Sequence, residues 1–119
     1  MTATSKKRFL VMYQIPAAQL DAWMKTDPKT REASEAKLRG EWDAWTKAHA
    51  MMIVDSNAGG KTKRVTAGGI APTRNDIVIC ATIEGDDHET VAKLFASHPH
   101  LQIPHAMIDI MELRPMTAM

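Results

Sequence analysis

Two short apolar runs rich in β-branched residues frame the last third of the chain, residues 77–84 (IVICATIE) and 106–113 (AMIDIMEL). Between them Gly85-Asp86-Asp87 marks a turn, and a helical pattern follows that ends near Ser97 and is stopped by Pro99. Strand, helix and strand in that order form a crossover unit with parallel strands. The first half repeats the plan. In residues 8–15 (RFLVMYQI), Phe9, Val11, Tyr13 and Ile15 alternate with Leu10, Met12 and Gln14, which predicts a strand that is apolar on both faces. Pro16 suits the first turn of a helix, and Ala17, Leu20, Trp23 and Met24 recur at helical spacing behind it. Asp27-Pro28 restarts the helix as N-cap and first-turn proline. Leu38, Trp42, Trp45 and His49 then make one stripe, while Glu35/Arg39, Lys37/Glu41 and Asp43/Lys47 pair along a solvated face. Residues 51–55 (MMIVD) read as the second strand and 56–60 as a turn. Residues 61–66 read as a short lysine-protected edge strand, and 67–75 as a Gly/Pro loop.

This order predicts an α+β fold, a ferredoxin-like βαββαβ unit with a four-stranded antiparallel sheet and both helices on one face. Residues 1–7 are expected to be a disordered tail, and 8–115 the single domain. Helices on one side leave Leu10 and Met12, and with them Val78 and Cys80, on a face that needs cover. A second copy of the chain is the simplest cover, so a homodimer is expected.

Composition narrows the function classes. The 119 residues carry a formal net charge of +1, so no global field draws the chain to nucleic acid or to an anionic membrane. The apolar run behind Lys6-Lys7-Arg8 is too short for a secretory core or a membrane span. With one cysteine there is no internal disulfide, and the expectation is a cytoplasmic protein.

The opening RFLVMY strand with Leu20-x-x-Trp23-Met24 behind it resembles the start of YCII-related (DGPF-type) domains. Pro99-His100-Leu101 and Glu112-x-Arg114-Pro115 resemble that family's close. The resemblance implies a dimeric α/β-barrel in which two four-stranded sheets pack face to face, and in some members a His–Asp pair with the histidine near the start of the first helix. Here the first histidine is His49, and the loop that would carry the DGPF tetrapeptide reads Gly68-Gly69-Ile70-Ala71-Pro72-Thr73.

Three motifs invite chemistry. Gly59-Gly60-Lys61-Thr62 ends like a phosphate-binding loop, but Asp55 stands where its first glycine belongs and no helix follows, so it reads as a turn. Cys80, mid-strand with no adjacent base, reads as an inert thiol. His98-Pro99-His100 with His105 is the one histidine cluster. It suits a transition metal by ligand type, whereas the plainer reading has His98 capping a helix C-terminus. No metal is assigned and no cofactor is named. The predicted topology brings His98, His100, His105, Tyr13, Asp55 and Asp76 to one rim of the sheet. They form a candidate ligand pocket in which carboxylates near imidazoles either supply an acid–base pair or raise histidine pKa values into the physiological window. A solvated rim of loop ends is the alternative. Two functions fit: a small-molecule-binding or enzymatic homodimer, and a non-catalytic ligand-sensing or protein-interaction module.

Overall fold

A computed structural model describes residues 6–116. The expected N-terminal tail lies outside the described residues up to position 5, and Lys7 already opens the first strand. Six strands and three α-helices follow in order: β1 (Lys7–Gln14), α1 (Ala17–Met24), α2 (Pro28–Ala48), β2 (Ile53–Ala58), β3 (Thr62–Thr66), β4 (Gly69–Thr73), β5 (Ile77–Gly85), α3 (His88–Phe95) and β6 (Met107–Leu113). Strands β2-β5-β1-β6, in that order, make an antiparallel four-stranded sheet; β3 and β4 make a separate two-stranded one. The order of the larger sheet is consistent with the ferredoxin-like plan.

Local signals account for most boundaries. Asp27 accepts the Thr30 N–H at 3.2 Å and starts α2 ahead of Pro28. Asp87 caps α3 by accepting from the Thr90 N–H at 2.8 Å and the Thr90 hydroxyl at 2.9 Å. These bonds hold its carboxyl below the usual carboxylate range. Gly85 ends β5 where a Cβ would run into the Val91 side chain, so its missing side chain lets α3 lie close on the sheet.

The alternation of β1 sorts its two faces. Phe9, Val11 and Tyr13 are buried together with Ala81 and Ile83 of β5 and Val91 and Phe95 of α3, and Trp42 and Trp45 of α2 pack against them. Cross-strand pairing sets Leu10, Met12, Cys80, Met107, Met111 and Leu113 on the opposite face. There Met107 and Met111 stay 47% and 48% exposed. Val78, grouped with Cys80 by the alternation, packs against the core instead.

Two expectations need correction. The second strand does not run over 51–55: Ala50–Met52 form a 3-10 turn and the strand continues to Ala58. Nor does the stretch 61–66 edge the main sheet. It pairs with Gly69–Thr73, inside what reads as a loop, and the two make a hairpin of their own. Gly69 takes φ +140° at the turn, a backbone that side chains rarely adopt. No helix of the described residues is long and apolar enough to cross a membrane.

Candidate functional site

The rim expected to hold the site gathers the end of β1, the start of β5 and the 3-10 turn Pro99–Gln102. The six candidate side chains do different things there. Tyr13, His98 and His100 come together. The Tyr13 ring centroid lies 5.1 Å from that of His98 and 5.3 Å from that of His100. Asp76 works on the backbone: its carboxylate accepts the Ala17 N–H at 3.2 Å, and its carbonyl accepts the Ile15 N–H at 2.9 Å. It thereby fixes the step from β1 into α1. Asp55 is not at the rim, because β2 runs three residues past it. It stands at a bulge opposite Thr82, whose N–H it accepts at 3.1 Å. His105 is exposed in the loop before β6 with φ 63°, and none of His98, His100 and His105 lines either of the two cavities described below.

His98 and His100 are each 1% exposed. The Nδ1 of His98 accepts the His100 backbone N–H at 3.0 Å, so this ring caps the 3-10 turn as an acceptor. That replaces the expected role of a charged cap on the C-terminus of α3. With Nδ1 accepting, the hydrogen of the neutral ring sits on Nε2, which is buried without a hydrogen-bond partner. Around it stand Trp42 edge-to-face at 4.4 Å, Trp45 at 4.5 Å and Phe95 at 5.9 Å. Burial among these rings, with smaller repulsions from His100 and His49, lowers the His98 pKa to about 4. His100 donates from Nε2 to the Gln14 carbonyl at 3.0 Å, clamping the end of β1. Burial lowers its pKa too, only partly offset by the backbones of Gln14 and Met107. The expectation that carboxylates would raise these values is overturned, because burial outweighs any neighbouring charge. Tyr13, buried likewise, is pushed well above the ordinary tyrosine value.

Two further histidines also serve the backbone. His49 Nδ1 lies 2.8 Å from the Trp45 carbonyl, and His88 Nε2 lies 2.7 Å from that of Ile110. Among the described residues no three His, Cys, Asp or Glu side chains stand close enough to share a metal ion.

A cavity of about 180 Å³ opens between the sheet and α2, walled by Tyr13, Trp42, Trp45 and Phe95, with Ser56 and Asn57 of β2 on its edge. The Trp45 indole N–H is buried there and, like His98 Nε2, has no hydrogen-bond partner. Both tryptophans belong to the helical stripe that reads as core. They do pack against the core, and they line this cavity as well. Sequence periodicity reports only that a face is buried, so this second role left no signal beyond the aromatic content of the stripe. A second, larger hollow of about 470 Å³ lies between α1, α2 and the loop at Ile103, lined mainly by Leu20, Trp23, Met24 and Leu38. The carboxylate of Glu35 stands in its wall, accepting from the Trp23 indole at 3.3 Å and 3.6 Å from Arg31. Compared with protein-family models the chain matches none, and a search of curated proteins finds no match.

Proposed function

We propose that this chain binds a small, single-ring, largely apolar compound carrying a hydrogen-bond acceptor, seated in the cavity beside Trp45. One observation carries the reading: the buried indole N–H of Trp45 lacks an acceptor beside an aromatic-walled cavity that Trp45 itself lines. Buried donors nearly always find partners, so an acceptor brought by a ligand would relieve a cost of about 1–3 kcal/mol. An apolar cavity of about 150 Å³ is enough to admit benzene, which makes one ring the natural size. The titratable groups of the cluster favour binding over proton transfer. Tyr13 stays protonated and His98 stays neutral near pH 7. The seat is thus aromatic, and the His/Asp-lined pocket expected at the sheet edge gives way to Tyr13 with His98 behind it.

The same reading takes the fold as ferredoxin-like and the chain as a homodimer that closes over its open sheet face, in the manner of YCII-related domains. The strand order and the apolar Leu10, Met12, Cys80, Met107 and Met111 on that face support it.

Acetophenone and ethylbenzene, similar in size but with and without an acceptor oxygen, test the site by ligand-observed NMR and tryptophan fluorescence. Acetophenone should bind saturably and about tenfold more tightly than ethylbenzene, a ratio worth one hydrogen bond. Ala81→Leu, which fills the cavity floor, should abolish both. Failure of both compounds to bind, or equal binding to the filled variant, would overturn the proposal.

A further inference from the structure

We infer that the β3–β4 hairpin is an intersubunit clamp whose Val65/Ile70 face packs against a second copy of this chain. The inference rests on the homodimer reading above and adds a contact that the open sheet face alone does not require.

Register places the clamp face. Val65 pairs with Ile70 and Lys63 with Pro72, so these four side chains share one side of the hairpin. Val65 is 72% exposed and Ile70 71%, although both are β-formers that a sheet normally covers. A lone two-stranded hairpin is marginally stable in water, and this one joins no third strand. Its base is tied to the body of the chain: Arg74 makes a two-point ion pair with Asp21 of α1, at 3.0 and 3.3 Å, and Asn75 turns the chain into β5 by accepting the Ile77 N–H at 2.9 Å. A rooted arm with an uncovered apolar face is built to meet something.

Surface area and charge say what it meets. The radius of gyration is 17.0 Å, against about 13.5 Å expected for a compact chain of this length. The accessible surface is 8782 Å², where a folded monomer of this mass exposes about 6,400 Å². The excess is more than the roughly 800 Å² that each partner gives to a standard interface. On the clamp face the charged side chain is Lys63, Arg64 lying on the hairpin's other side, while the open sheet face carries Asp55, Asp109 and the Arg8–Glu84 ion pair beside its methionines. Lys63 on the arm and the two remaining carboxylates, Asp55 and Asp109, on the sheet face make the surfaces of one chain complementary in sign. A two-fold axis lets each arm reach the other subunit at the margin of the paired sheets, where Asp55 stands on the edge strand β2.

Sedimentation velocity over a dilution series, at low and high salt, compares wild type with Val65→Lys/Ile70→Lys. Both positions are exposed, so circular dichroism should be unchanged, and the dimer dissociation constant should rise at least tenfold. Hydrogen exchange on the unaltered protein gives a second measurement. Amides of β3 and β4 should gain protection as concentration passes through the dimerisation range. A dimeric wild type whose variant dimerises equally well, or whose hairpin protection ignores concentration, overturns the clamp and leaves the homodimer standing. A wild type that stays monomeric at tens of micromolar overturns both.

Discussion

The Nδ1 of His98 accepts the backbone N–H of His100 at 3.0 Å, and that bond fixes which nitrogen of the ring carries its hydrogen. It leaves the hydrogen of the neutral ring on Nε2, and burial among the aromatic rings makes that ring costly to protonate. Its folded pKa is about 4 against an ordinary 6.5. Below pH 6.5 the unfolded chain takes up a proton that the folded chain refuses, so stability falls as pH drops from about 6.5 to about 4 and levels off below. The linkage amounts to about 3 kcal/mol across that window. Urea unfolding at pH 7.5, 5.5 and 4.5 should show wild type losing stability more steeply than His98→Asn, which keeps an acceptor for the His100 N–H but does not titrate. Parallel slopes for the two proteins would contradict this account.

The other histidines of the cluster should separate cleanly. His100→Ala removes a buried ring and leaves the Gln14 carbonyl without its donor, and should cost about 2–4 kcal/mol. His105 is exposed in a left-handed conformation. His105→Gly should therefore be neutral or stabilising by up to about 1 kcal/mol, and His105→Val clearly destabilising. Thermal and urea melts of the three variants check the ordering.

Gly85→Ala is a one-carbon change with a large expected effect. The added methyl meets the Val91 side chain in the packed layer between β5 and α3. A cost of about 1–3 kcal/mol is expected, and Gly85→Ala/Val91→Ala should recover part of it by making room. A double variant no better than the sum of the two single ones would show that the close approach does not matter.

Trp42 carries structure and site together. Its ring lies 4.9 Å from Tyr13 and 4.4 Å from His98. Trp42→Ala should cost about 3 kcal/mol, at the low end for a tryptophan because the ring is only partly buried. It should also widen the cavity, so a two-ring ligand such as naphthalene should bind the variant and not the wild type. Equal naphthalene binding to both, measured by fluorescence, would place the cavity wall elsewhere.

What the amino-acid sequence determined by itself is the local grammar: the alternation of Phe9, Val11 and Tyr13, the cap at Asp27, the turn at Gly85-Asp86-Asp87, and the stop at Pro99. Each depends on residues within a few positions of one another, so each is legible without the fold. The strand Gly69–Thr73 was not, because Gly-Ile-Ala-Pro-Thr has little strand propensity and exists as a strand only by pairing with β3. The place of Asp55 depended on a bulge and on three further residues of β2, which only the partner strand β5 defines. Tertiary structure alone decided the sign of the histidine shifts. The sequence pattern predicts imidazoles and carboxylates on a common rim, but which of them meet, and whether charge or burial prevails, depends on distances of a few ångströms. Here Trp42, Trp45 and Phe95 surround His98, while the candidate carboxylates turn to backbone N–H groups, so burial wins.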